Sequence, residues 1–152
     1  MSGCVNCARR LLFGGILLTR YLLDSNVVMY WLNGQEPAPA LLAELNSRRD
    51  LLAINAVSVA ETYSGIPPDD LERVDFLLAE FEYWPIDWAV ARLAGEYRQK
   101  YASEGRKLPI PDVILGAHAI SRDATLITNI VRDFPMPELK ILIFRDWKPD
   151  HA

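Results

Sequence analysis

Three carboxylates, Asp24, Glu61 and Asp112, stand 37 and 51 positions apart. Each lies where a strand-like run meets a helical pattern. Tyr21-Leu22-Leu23 reads as a buried strand that stops on Asp24, and Glu61 falls in the first turns of the helix leaving Leu51 to Ala56. Asp112 opens a helix that leads into Thr125 to Thr128, after which come Asn129 and Asp133. Carboxylates brought together repel, and raise one another's pKa, unless a cation sits among them. Oxygen-only ligands suit hard Mg²⁺ or Mn²⁺. Such a site supports attack of water on a phosphate ester, with two ions about 3.5–4 Å apart activating the water and stabilising the leaving oxygen. On this reading Asp24 and Asp112 hold metal, Glu61 binds an ion or orients the water, and Asn129 and Asp133 complete the coordination or stand behind it. Helix N-termini meeting there help draw in a phosphate.

Each acid also has a simpler explanation. Asp24 can cap the helix that starts at Ser25. Ser58 with Glu61 fits a capping box, and Asp112 after Pro111 suits the positive end of a helix. Capping accounts for each acid singly but not for their meeting. A helix that ends where a parallel strand begins must itself begin at the carboxyl edge of the sheet, so topology sends all of these residues to one rim. His118 does not share it. Six residues beyond Asp112 is about 240° round a helix, which makes it a packed or interface histidine rather than a general base.

The elements that must position these side chains alternate. Ser25 begins a helix, Gly34 to Pro39 is a loop, and Ala40 to Arg49 is helical. Leu51 to Ala56 is a strand and Val57 to Ser64 a helix stopped by Gly65. Leu71, Val74, Leu78 and Phe81 recur at helical spacing until Trp84-Pro85 breaks the pattern. Asp87 caps a long helix with Trp88, Ala91, Ala94, Tyr97 and Tyr101 on one stripe, ending near Gly105. Asp112 to Arg122 is apolar nearly all round and therefore central. Asn129 to Phe134 is expected as a turn of helix and Lys140 to Phe144 as the last strand. The four tryptophans read as core, Trp147 being the one expected at the surface. The fold class implied is α/β, a three-layer α/β/α arrangement around a central, mostly parallel sheet of four to five strands.

The chain of 152 residues is about half apolar, which supports one domain with a proper core, and its formal net charge is -4. That balance argues against indiscriminate coating of DNA or membrane. Positive charge is local: Arg98, Lys100, Arg106 and Lys107 precede Asp112, and Arg145 and Lys148 lie near the end. Cys4 and Cys7 supply two ligands where a structural zinc needs four, and read as thiols of a reducing, cytoplasmic compartment. Residues 1–18 are expected to be an extension, disordered or upstream of a true start near Leu18. Arg9-Arg10 followed by Leu11 to Leu18 mimics a signal peptide, but Gly14-Gly15 interrupts the run and it is too short to span a membrane. The domain proper is 19–147, with a tail at 148–152.

Taken in order, Leu22-Leu23-Asp24-Ser25-Asn26, Ser58-Val59-Ala60-Glu61, Pro111-Asp112-Val113-Ile114-Leu115-Gly116-Ala117 and Thr128-Asn129 through Asp133-Phe134 resemble the PIN domain, specifically the VapC-type toxins of prokaryotic toxin–antitoxin pairs. The resemblance implies a Mg²⁺-dependent endoribonuclease that cuts structured RNA of the tRNA or rRNA class. It also implies a homodimer and a cognate VapB-type antitoxin covering the groove. By that match Asp24, Glu61 and Asp112 are the acidic triad. The family's fourth acid falls at Asn129, an amide, which leaves Asp133 as the substitute. Asn26, Ser58, Thr128 and Asn129 form the outer ring of the site. Two other readings share the acids: a PIN-like module that binds without chemistry, and a metal-dependent phosphatase with Asp24 as nucleophile. Phosphatases of the latter kind want a second acid two residues on, where this chain has Asn26.

Overall fold

Leu22 and Leu23 are both fully buried, yet they serve different cores. Successive strand residues point to opposite faces, so a strand with two buried neighbours must be covered on both sides. The computed structural model, which describes residues 11–13 and 16–150, shows how. Strands β3 (Arg20–Leu23), β4 (Leu51–Ile54), β5 (Glu82–Tyr83), β6 (Thr125–Thr128) and β7 (Lys140–Ile143) form one sheet in the order β5-β4-β3-β6-β7. Every pairing in it is parallel. Leu22, Ala53 and Leu126 face a core closed by helices α5 (Trp88–Ser103) and α6 (Ile110–Ser121). Leu23, Ile54 and Ile127 face the other, closed by α1 (Ser25–Leu32), α2 (Ala38–Ser47) and α4 (Leu71–Leu78). Each fully buried Leu or Ile contributes about 1.5–3 kcal/mol. Helix α3 (Ala56–Ser64) follows β4.

Ahead of the sheet, β1 (Leu11–Phe13) and β2 (Ile16–Leu18) pair antiparallel. The rest of the expected extension, with Cys4 and Cys7, lies outside the described residues, as do residues 151–152. Among the described residues no helix is long and apolar enough to cross a membrane.

The sheet is wholly parallel and has a fifth strand, Glu82–Tyr83, that hydrophobic patterning does not reveal: both residues are exposed and the strand has only two of them. Asn129 to Phe134 is not helical. The chain makes a single turn there, closed by the Phe134 N–H on the Val131 carbonyl at 2.9 Å. The stripe expected on α5 is also shifted. Val90, Ala94 and Tyr101 are buried, whereas Trp88 is 86% exposed. Large apolar size suggested the wrong face, since the residues that pack are those spaced four and seven apart. Trp147, expected at the surface, is half-buried against the α1–α2 core.

Candidate active site

Asp24 stands at the carboxyl end of the central strand. Its N–H continues the ladder to the Ile127 carbonyl at 3.0 Å, and it occupies the N-cap of α1. It is 5% exposed, and burial pushes its carboxyl up. Opposing hydrogen bonds favour the ionised form. Oδ1 accepts the Ser25 N–H at 2.7 Å, and Oδ2 accepts the Thr128 hydroxyl at 2.7 Å and the Asn26 amide at 3.3 Å. Both oxygens of a buried carboxylate are therefore engaged, as a buried charge requires.

Ser25 joins the next acid. Its hydroxyl donates to Glu61 Oε2 at 2.6 Å and lies 3.5 Å from Asp24 Oδ1. Glu61 is not a capping residue. The cap of α3 is Asn55, whose side chain accepts from the Val57 and Ser58 N–H groups while Ser58 Oγ accepts the Asn55 N–H. The box expected from Ser58 and Glu61 is thus built one turn earlier by Asn55 and Ser58. Glu61, two turns into the helix, is released from capping and faces Ser25. Asn55 is fully buried, and its amide also meets His118 Nδ1 at 3.0 Å. His118 is fully buried too, edge-on to Trp84, and away from the acids as its spacing indicated.

Asp112 sits in the first turn of α6, with Pro111 ahead of it at a position where no N–H is missed. Its carboxyl is pushed up to about 6, by burial first and then by the charges of Asp133, Asp24 and Glu61. The four acids thus share one field on one rim. Asp133 reaches it because the segment after β6 packs tightly on α6. Gly116 leaves no Cβ in the way of Met136 and Phe134, where one would meet Met136 Cε at 3.3 Å. The Tyr101 hydroxyl fixes the Pro135 carbonyl at 3.1 Å. The room that Gly116 opens beside Asp112 is accordingly filled by this segment. Asn129 does not turn toward the acids. Its Oδ1 accepts the Arg145 N–H at 2.9 Å and ties the end of β7 to the end of β6.

Sequence patterns missed two positioning residues, Ser25 and Asn55. Both carried a signal: a small hydroxyl directly after the rim carboxylate, and an asparagine between a strand and a helix, the commonest N-cap.

The donor set can be tested against a divalent cation. Its atoms are all oxygens, the choice for a hard ion. Asn26 Oδ1 is buried beside Asp24 with no partner, an acceptor still seeking a positive group. As the side chains stand, however, no three carboxylate, histidine or cysteine groups among the described residues close on a common ion. The donor atoms suit a hard cation in chemistry, and the mutual repulsion of the acids is what an ion would relieve. A hollow of about 720 Å³ lined by Trp31, Leu42, Leu51 and Phe81 holds none of these acids, lying toward the amino edge of β4.

Residues 21–129 match the model of the PIN domain family. Ribonuclease VapC10 of Mycobacterium tuberculosis is 34% identical over 118 residues, covering 77% of this chain and 87% of that protein. Ribonuclease VapC19 of the same organism is 29% identical over 120 residues, covering 78% and 96%. Among solved structures, VapBC2 from Rickettsia felis bound to a DNA fragment from its promoter superposes with a TM-score of 0.70 at 24% identity, covering 82% of this chain and 98% of that one. The strand carrying Asp24, the helix carrying Glu61 and the helix carrying Asp112 all lie within the matched span, and the chain belongs to the PIN domain family, among its VapC-type members.

Proposed function

We propose that this protein is an endoribonuclease, the toxin of a VapB-type antitoxin pair, which hydrolyses phosphodiester bonds of RNA with Mg²⁺ or Mn²⁺ held by Asp24, Glu61 and Asp112. The observation that carries the reading is the convergence of acids at one rim: the Ser25 hydroxyl lies between Glu61 and Asp24, and the Asp112 carboxyl is pushed up to about 6 by burial first and then by Asp133, Asp24 and Glu61. Membership of the VapC group and relatives named ribonucleases support the substrate class. Structured RNA of the tRNA or rRNA type, a homodimer and a cytoplasmic setting go with the same reading.

When bound, the cation supplies an activated water and charge neutralisation at the phosphate. The chain's own residues prepare for it. Ser25, Asn26 and Thr128 hydrogen-bond both oxygens of the buried Asp24 and fix its orientation. The Ser25 hydroxyl holds Glu61 beside it. The Asp112 carboxyl, pushed up to about 6 by burial and then by its acidic neighbours, is one whose charge a bound cation would stabilise. Asp133 adds negative charge at the position the family usually fills from residue 129. Both oxygens of Asp24 are engaged, and Asn26 stands where a phosphatase needs an acid, so Asp24 is a poor nucleophile.

The test is cleavage of a labelled structured RNA by wild type and Asp24→Asn, with Mg²⁺ and with EDTA. Cleavage by wild type alone, and only with metal, is expected. Equal cleavage by both proteins traces the activity to a contaminant. Tight RNA binding by both with no cleavage leaves the binding-module reading in its place.

A further inference from the structure

Most cations of the described chain are already occupied. Arg48, Arg73, Arg92, Arg132 and Lys140 are ion-paired. Arg20 and Arg98 donate to carbonyls, and Lys100 and Arg122 lie over aromatic rings. The side chains of Arg49, Arg106, Lys107, Arg145 and Lys148 are exposed and make none of these contacts. Arg49 follows α2 at the amino edge of the sheet, away from the acids. Lys148 lies between Trp147, packed in the α1–α2 core, and Asp150, which pairs with Arg48 at 3.4 Å, so it too leads away from the acids. Arg106 and Lys107, just ahead of the helix of Asp112, and Arg145, just after β7, lie toward the carboxyl edge that carries the acids.

Their placement is built rather than loose. Helix α5 ends in a Schellman motif: Gly105, at φ +83°, donates to the Ala102 carbonyl at 3.0 Å, and the Arg106 N–H donates to the Tyr101 carbonyl at 2.8 Å. Two residues on, Leu108 is buried and its carbonyl accepts Arg98 Nε at 3.0 Å. Arg106 and Lys107 are thus displayed on a turn pinned at both ends, directly before the helix of Asp112. On the other side the Arg145 N–H is held by Asn129, the residue next to Thr128, and Thr128 holds Asp24. Strand β7 lies two strands from β3, about 10 Å away. Its end also belongs to the opposite face of the sheet, since Phe144 and Trp147 pack in the α1–α2 core.

A rim of four acids on a chain of net charge -4 repels the backbone it is to cut. Free cations on both sides of such a rim attract the neighbouring phosphates without neutralising the acids. We propose that Arg106 and Lys107 on one side, and Arg145 on the other, are phosphate-positioning residues that hold an RNA backbone across the acidic rim on either side of the scissile bond. This rests on the ribonuclease reading of the site.

The experiment is binding of a short fluorescein-labelled single-stranded RNA in EDTA across a salt series, followed by cleavage with Mg²⁺. Arg106→Ala/Lys107→Ala should weaken binding about tenfold at low salt and lower the slope of log K against log salt by about one to two, and Arg145→Ala should weaken it severalfold and lower the slope by about one. In cleavage each should raise KM far more than it lowers kcat, since the lost contact is uniform binding. Arg49→Asn should match wild type. Wild-type slopes in both the Arg106/Lys107 variant and the Arg145 variant, with wild-type cleavage intact, overturn the clamp and leave the nuclease standing. An equal loss in Arg49→Asn overturns it in favour of diffuse charge. Wild type that neither binds nor cleaves RNA overturns both.

Discussion

The hydroxyl of Thr128 donates to Asp24 Oδ2 at 2.7 Å, and its own acceptor capacity is filled by the Ile130 N–H at 3.1 Å and the Asn26 amide at 3.2 Å. A hydroxyl has one proton. With two donors already pointing at it, that proton has one place to go, so Thr128 is locked as a donor to the buried carboxylate. Thr128→Val keeps the shape and removes the donor. The loss of a hydrogen bond to a charged group is expected to cost about 1.5–3 kcal/mol in urea unfolding. The bond lowers the Asp24 pKa, so its removal should also move the acid limb of the cleavage rate to higher pH. Thr128→Ser should restore both. A valine variant with an unmoved acid limb would show that Thr128 only packs.

Asp112 gives a stability signature opposite to that of an ordinary surface carboxylate. Its pKa is raised from 3.8 to about 6 in the folded protein, so the folded state binds the proton more tightly. The associated stability is present below about pH 4 and is lost as pH rises through 6. Asp112→Asn should therefore melt no lower than wild type in EDTA at pH 7. The variant should gain about 1–2 kcal/mol, the full shift being discounted because the group is half-exposed. Mg²⁺ should then raise the wild-type melting temperature more than the variant's. Identical metal responses would reduce the acids to independent helix-end charges.

His118 titrates in the contrary sense. Burial, and then the charge of Arg122, lower its pKa, with Asp87 pulling weakly the other way. Its Nδ1 meets the Asn55 amide, so it is neutral where it sits. A histidine held neutral stabilises fully above about pH 6.5, and that contribution is lost as pH falls toward its lowered folded value. The melting-temperature difference between wild type and His118→Gln should shrink between pH 7 and pH 5. Because Asp112 gains stability over the same interval, the two single variants are needed to separate the effects. A constant difference would mean His118 carries no proton linkage.

What the chain reveals to inspection follows the length scale of the interaction. The central strands and the rim positions of Asp24, Glu61 and Asp112 follow from apolar runs and connection direction, which are properties of whole segments. The two-residue strand Glu82–Tyr83 does not, because edge pairing with Ile54 needs backbone groups rather than apolar side chains. Nor does the exposed face of α5: Trp88 looks like core until Val90 and Ala94 are seen to take that place. The assignment of the α3 cap failed because two overlapping motifs, Asn55 with Ser58 and Ser58 with Glu61, compete in sequence. Only the hydrogen bonds decide between them.

Asn129 and Asp133 divide the work that one acid would otherwise do. The amide of Asn129 is spent on the Arg145 N–H at 2.9 Å, whereas Asp133 is the leading charge acting on Asp112 after burial. Asn129→Asp keeps an oxygen acceptor for Arg145 and adds a fifth acid beside the four of the rim. It should fold as wild type and cleave within about threefold of it, a change of less than 1 kcal/mol. Asn129→Ala leaves the Arg145 N–H without its acceptor at an exposed position, and should cost about 0.5–1.5 kcal/mol. Asp133→Asn is the decisive variant. With its charge gone the Asp112 pKa should fall toward the ordinary carboxylate range, readable by NMR titration of the side chain. Cleavage should fall at least tenfold if Asp133 completes the site. Unchanged cleavage together with an unchanged Asp112 titration would return residue 133 to the surface and leave three acids to do the chemistry.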